Sequence, residues 1–259
     1  MTLAEIQSFL IDMDGVLVHE ETAIPGADRF LARLARLGRR YLIITNNSMY
    51  TPRDLAARLA ASGLQVPEGS IWTSALATAR FVDTQRPGGT AFVIGEAGLT
   101  TALHGSGYTL TERAPDYVII GETRTYSFER VTRAIRLISE GARFLATNPD
   151  PTGPTADGPV PATGAVAALI SAATGIQPYF VGKPNPLMVR SALTALKGHS
   201  ETAAIIGDRM DTDIKSGLEA GMQTVLVLTG STSREEIARH PYLPSQVVES
   251  IADLIDQLG

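Results

Sequence analysis

Short apolar runs alternate with stretches in which apolar residues recur at helical spacing, almost from end to end of the chain. The runs Ser8-Phe9-Leu10-Ile11, Tyr41-Leu42-Ile43-Ile44, Ala91-Phe92-Val93-Ile94 and Tyr117-Val118-Ile119-Ile120 read as buried strands. So do Ala203-Ala204-Ile205-Ile206 and Thr224-Val225-Leu226-Val227-Leu228. Between them, Phe30, Leu31, Leu34 and Leu37 share one face of a helix predicted over 27–37, which Gly38 is placed to end. Thr51-Pro52 reads as an N-cap followed by proline at the first helical position, with Leu55 and Leu59 carrying the stripe towards Gly63. Further helices are predicted over 128–139, 164–173, 186–196 and 212–220. Such alternation predicts an α/β protein, a parallel sheet with helices on both faces. The one long irregular stretch, Asn148 to Pro161, is rich in Pro, Gly, Asp and Thr, and loops of that length inside a compact domain are usually functional.

Several polar groups sit just past strand ends, where open α/β sheets form their ligand crevice. In Asp12-Met13-Asp14-Gly15-Val16, side chains at i and i+2 point the same way, so both carboxylates can face one site. Two such carboxylates repel unless a cation neutralises them, and a hard divalent ion with oxygen ligands, magnesium above all, is the natural partner. An Asp-Gly turn is the plain alternative. Thr45-Asn46-Asn47-Ser48 follows the second strand and offers a hydroxyl and amide N–H groups to phosphate oxygens; a polar loop is its bland reading. Gly182-Lys183-Pro184 offers one ammonium, without the glycine and hydroxyl spacing of a Walker A loop. Gly207-Asp208-Arg209-Met210-Asp211-Thr212-Asp213 puts three acids at a predicted helix start, where simple capping is the alternative.

Composition narrows the partners. The 259 residues are 44% hydrophobic and 19% charged, with a formal charge of −5 spread over both signs. There is no basic stripe for a nucleic-acid backbone. An anionic substrate therefore needs a metal or a few placed cations. Cysteine is absent, so thiolate chemistry is excluded. His19, His104, His199 and His240 are scattered without metal-ligand spacing. No signal peptide or membrane span is legible, and the expected location is the cytoplasm.

Taken in order on an α/β scaffold, these four motifs resemble the haloacid dehalogenase superfamily over nearly the whole chain. The resemblance implies a Rossmann-like core and a magnesium-dependent phosphomonoesterase. It makes Asp12 the nucleophile and a metal ligand. Asp14 is implied as general acid and base, its carbonyl also meeting the metal. Thr45, Asn46 and Asn47 match the phosphate-binding segment, and Lys183 the lysine that holds Asp12 and the phosphoryl group. Asp208 and Asp213 match the remaining metal ligands, Asp213 through a bound water. Asp211 is left to helix capping.

Gly15 to Thr45 has room for a turn and a helix, whereas Thr45 to Lys183 can hold an extra α/β domain. The expected organisation is a catalytic core over 1–85 and 181–259, with an inserted cap over 86–180. This layout, with Thr147-Asn148-Pro149-Asp150, is similar to the NagD-like branch (class IIA, C2-type cap), whose members act on nucleotides, sugar phosphates, glycerol phosphates and pyridoxal phosphate. The expected substrate is a small phosphorylated metabolite, contacted by Asn148 and Asp150 as well as the phosphate-binding segment, and the cap is a possible homodimer contact. Two departures stand out: Gly153 lies near a histidine of pyridoxal-phosphate phosphatases, which disfavours that substrate, and Ala162 stands where relatives commonly have glycine. A dehalogenase would need neither Asp14 nor metal, and a phosphomutase would place its cap before Thr45. A catalytically silent phosphometabolite-binding regulator on the same fold is the non-enzyme alternative.

Overall fold

Each apolar run read as a strand is one, and together with shorter strands they build two separate parallel sheets. The computed structural model describes residues 2–153, 155 and 157–259. The first sheet has six strands in the order Gln246–Val248, Gln223–Val227, Ala203–Gly207, Ser8–Asp12, Arg40–Thr45, Ile71–Thr73. The first five pair in parallel. Counted along this unit, that is the 3-2-1-4-5-6 order of doubly wound nucleotide-binding sheets. Its switch point lies between Ser8–Asp12 and Ala203–Gly207, so a crevice is expected beyond the carboxyl ends of those two strands. Helix α1 (Ala27–Arg36) buries Phe30, Leu31 and Leu34, and Phe30 meets Phe9 edge to face at 6.2 Å. Gly38, at φ +63°, follows its last turn.

The second sheet has five strands, Tyr179–Phe180, Arg143–Ala146, Tyr117–Ile120, Thr90–Ile94 and Thr109–Leu110, all parallel. Alternate residues on its strands face opposite layers. Phe92, Ile94, Val118, Ile120 and Phe144 pack with residues of α5 (Phe128–Ser139) and α6 (Thr163–Thr174). Ala91, Val93, Tyr117, Ile119 and Leu145 pack instead with α3 (Ser74–Gln85) and α4 (Ala97–Gly105). The result is a three-layer unit with apolar cores on both faces of its sheet.

Two compact units follow: one holds the residues up to Thr45, Pro52–Trp72 and Lys183–Gly259, the other Asn46–Thr51 and Thr73–Gly182. The boundary expected at Arg86 is therefore corrected to Thr73. Helix α3 buries Ala75, Ala79 and Val82 against Leu99, Leu103 and the second sheet, so it belongs there. The return lies at Lys183 rather than at Val181, because Gly182 still donates to the Thr147 carbonyl at 2.8 Å.

The stretch from Asn148 to Pro161 contains a two-stranded antiparallel ribbon, Thr152–Gly153 with Val160–Pro161; Pro154 and Ala156 lie outside the described residues. The helix expected over 212–220 begins as a wide π-type turn, Met210–Ile214, and continues as α-helix over Lys215–Glu219. Among the described residues no helix is long and apolar enough to cross a membrane.

Candidate active site

Asp12 is the last residue of the central strand of the first sheet, and Asp208 follows the strand next to it, so the two flank the switch point. The wide turn after Asp208 directs Asp213 back towards them. Asp213 N and Ile214 N both donate to the Arg209 carbonyl, and the Asp213 side chain lies so close to Gly207 that a Cβ there would meet its Cβ at 2.2 Å. Wide turns of this kind recur at functional sites. Lys183 closes the group. Its Nζ donates to Asp12 Oδ1 and to Asp213 Oδ1, each at 2.6 Å, while being only 3% exposed. Oxygens of Asp12, Asp208 and Asp213 all lie within 4.8 Å of one another.

This cluster is short of positive charge. Burial pushes the Asp12 carboxyl well above the ordinary carboxylate range; Lys183 pulls it back, and Asp213 and Asp208 push it up further. Asp208 is raised too, by burial and by Asp213, against the Ser231 N–H. For Lys183 burial acts downward, but Asp12 and Asp213 outweigh it and hold the ammonium above its ordinary value. A divalent cation with hard oxygen ligands would complete the charge balance, and the donor set fits magnesium.

Asp14 stands two residues on; part of the residue is open to solvent, but the groups packed around its carboxyl desolvate it and raise its pKa, against Arg58, Lys183 and His19. Thr45 ends the Arg40–Thr45 strand and is buried. The remaining candidates belong to the second unit. Asn46 Nδ2 donates to Asp150 Oδ2 at 2.8 Å, and the Asn46 carbonyl accepts from Asn148 Nδ2 at 2.9 Å and from Ser74 Oγ at 2.6 Å. Asn47 Oδ1 accepts from Met49 N and Tyr50 N, shaping a turn. Ser48, fully buried, accepts from Glu122 N and donates its own N–H to Glu122 Oε2.

Two expectations need correction. Asn148 is fully buried, with its amide on the Asn46 carbonyl and its Oδ1 accepting from Asp150 N, so it supports its neighbours rather than reaching a substrate. Asp211 caps no helix; its carboxylate pairs with the Arg209 guanidinium at 2.9 Å, exposed.

Three residues at the site were not singled out from the sequence: Thr229, Gly230 and Ser231. Ser231 N donates to Asp208 Oδ2 at 2.6 Å, and Thr229 Oγ1 to the Gly15 carbonyl at 2.6 Å. Gly230 is packed so tightly that a Cβ would meet Asp208 Oδ2 at 2.1 Å. They lie just past a strand end, the same signal that marked Asp12 and Asp208, but Thr-Gly-Ser also reads as an ordinary turn.

The chain matches the family model described as haloacid dehalogenase-like hydrolase over residues 9–109, and a second, HAD-hydrolase-like, over 180–254. It is 59% identical to the dihydroxyacetone phosphatase of Corynebacterium glutamicum, the match covering 96% of this chain and 90% of that one. Against the ribonucleotide monophosphatase NagD of Escherichia coli it is 42% identical over 96% of this chain and 98% of the relative. Among solved structures, the 4-nitrophenylphosphatase of Thermotoga maritima superposes with a TM-score of 0.95 at 33% identity, covering 99% of both chains.

Proposed function

Since this chain belongs to the haloacid dehalogenase-like hydrolase family and is a phosphatase of its NagD-like branch, we propose that it removes phosphate from a small phosphorylated metabolite through an aspartyl phosphate on Asp12. The observation that carries this reading is the Lys183 ammonium shared by Asp12 and Asp213 beside Asp208, at the switch point of the sheet. Asp12, Asp208 and Asp213, with Asp14 adjacent, are the residues that would hold magnesium. When bound, the ion supplies the positive charge that the phosphoryl oxygens need as they spread charge in the transition state.

The chain's own groups account for the rest. Lys183 orients the Asp12 carboxylate and keeps it available as nucleophile. An Asp12 oxygen forms the new bond to phosphorus as the ester P–O bond breaks, and Asp14 gives its proton to the departing alkoxide. Asp14 then takes a proton from water, whose oxygen attacks phosphorus. The bond to Asp12 breaks, inorganic phosphate leaves, and both carboxyl groups return to their starting states. Desolvation shifts the Asp14 carboxyl upward, the direction that suits a general acid.

The inserted second unit serves as the substrate-selecting cap, with the stretch from Asp150 to Pro161 as its recognition segment. Among substrates, a triose phosphate of the dihydroxyacetone phosphate type ranks first, because the relative so named is 59% identical to this chain over 249 aligned residues. A ribonucleoside monophosphate ranks second.

Hydrolysis of p-nitrophenyl phosphate by the purified chain is expected to require magnesium and to be abolished by Asp12→Asn. Unchanged turnover in excess chelator, or full activity in that variant, would remove the mechanism. An intact protein that binds these metabolites and hydrolyses none of them would leave a regulator instead.

A further inference from the structure

We infer that Thr229 is a positioning residue of the reaction, holding the turn that carries Asp14 from a loop two strands away. The inference rests on the phosphatase reading above and concerns its proton-transfer step.

The turn after Asp12 uses most of its own backbone groups. Leu17 N and Val18 N both donate to the Met13 carbonyl, and Gly15 N donates to the Val18 carbonyl at 2.8 Å. The Gly15 carbonyl is directed elsewhere and accepts the Thr229 hydroxyl at 2.6 Å. Gly15 sits at φ +78°, and a Cβ on it would meet Asp208 Oδ2 at 2.7 Å and Gly230 Cα at 3.0 Å. The peptide immediately after Asp14 is therefore pinned between the Asp208 carboxylate and the loop bearing Thr229. Asp14 is carried on this turn, so the place of the turn sets the region its carboxyl can reach.

The same loop also holds Asp208. Ser231 N donates to its carboxylate, and Thr232 N to its carbonyl at 3.2 Å. Thr232 Oγ1 in turn accepts from Met210 N. Thr229 leads out of the Gln223–Val227 strand, whose neighbour Ala203–Gly207 separates it from Ser8–Asp12 in the sheet. One short loop thus spans the carboxyl ends of three strands and locks the acid's turn to a proposed metal ligand. A hydrogen bond that merely tidied the loop would add to stability without touching the chemistry. One that sets Asp14 must show in proton transfer to the leaving group.

That distinction is measurable. Protonation matters for glycerol phosphate, whose leaving alkoxide is poor, and hardly for p-nitrophenyl phosphate. The ratio of kcat/KM for the two substrates, taken on one preparation at saturating magnesium, is independent of how much of the protein is folded. In Thr229→Val and Thr229→Ala that ratio is expected to fall roughly tenfold, in favour of p-nitrophenyl phosphate. Thr229→Ser, which keeps the hydroxyl, is expected to restore it to within about twofold of the parent. A ratio in Val and Ala variants equal to the parent's, or a Ser variant as impaired as they are, would overturn the assignment. Full activity in Asp12→Asn would instead overturn the underlying phosphatase mechanism, so the two failures are distinguishable.

Discussion

At the residue scale, Lys183 is a buried ammonium that answers two buried carboxylates, and its removal leaves both uncompensated. Breaking one side of a buried ion pair costs about 3–5 kcal/mol. The cost here depends on pH. Asp12 lies above its unfolded value in the native protein, chiefly through burial, and Lys183 opposes that rise. Without the ammonium the native pKa climbs further. A carboxyl raised on folding binds more protons in the native state, so stability falls as pH rises from about 4 through the native value. Lys183→Met is therefore expected to be destabilised most at pH 8 and least at pH 5, measured by urea denaturation in the absence of magnesium. An equal loss at both pH values would mean that the lysine acts through packing alone.

At the scale of elements, α4 begins against the backbone of the six residues from Asn46 to Thr51. Gly98 N donates to the Met49 carbonyl at 2.9 Å, and a Cβ on Gly98 would meet the carbonyls of Tyr50 and Ser48 at 2.5 and 2.6 Å. Glycine to alanine inside a helix ordinarily gains about 0.5–1 kcal/mol. Here the clash is with backbone, which cannot move aside cheaply, and overpacking costs about 1–3 kcal/mol. Gly98→Ala is expected to destabilise, whereas Gly105→Ala, at the open end of the same helix, should be neutral or stabilising. Two variants with the same sign in urea melts would refute the packing argument. This element also shows what a sequence can hide. The long strands were legible because both their faces are apolar, Asp12 and Asp208 because they are polar residues at strand ends, and Lys183 and Asp213 through the order of the four motifs. Helix α3 was not, since Ser74, Ala75, Ala77, Thr78 and Ala79 are small, buried and distributed around the helix without a stripe. The wide turn at Met210–Ile214 depends on the Gly207–Asp213 approach, and the burial of Asn148 on partners distant in sequence; neither leaves a local signal.

Across the whole molecule, the buried carboxyl cluster of the first unit and Asp116 of the second respond to acid with opposite signs. In the first, Asp12 and Asp208 are raised on folding, so their contribution weakens as pH rises. In the second, Asp116 is lowered. Burial acts to raise it, but the Thr90 N–H at 2.8 Å, the Thr90 hydroxyl at 2.9 Å and the Arg86 guanidinium at 2.9 Å outweigh that. A carboxyl lowered on folding contributes stability above its unfolded value of about 4, and loses that contribution as pH falls through the native value. The bonds to Thr90 tie the start of the Thr90–Ile94 strand to the Tyr117–Ile120 strand beside it, so acid is expected to loosen the second sheet at this edge while the first unit's carboxylates are relieved by protonation. Asp116→Asn separates the effects. It is expected to lower stability at pH 7, with the gap from the parent closing as pH falls from about 4 through the lowered native value of Asp116. Hydrogen exchange at Val118 and Ile119 should follow that gap, and exchange at Ile205 and Ile206 should not. A gap that stays constant with pH, or one that appears equally in both sheets, would show that Asp116 does not set the acid limit of its unit.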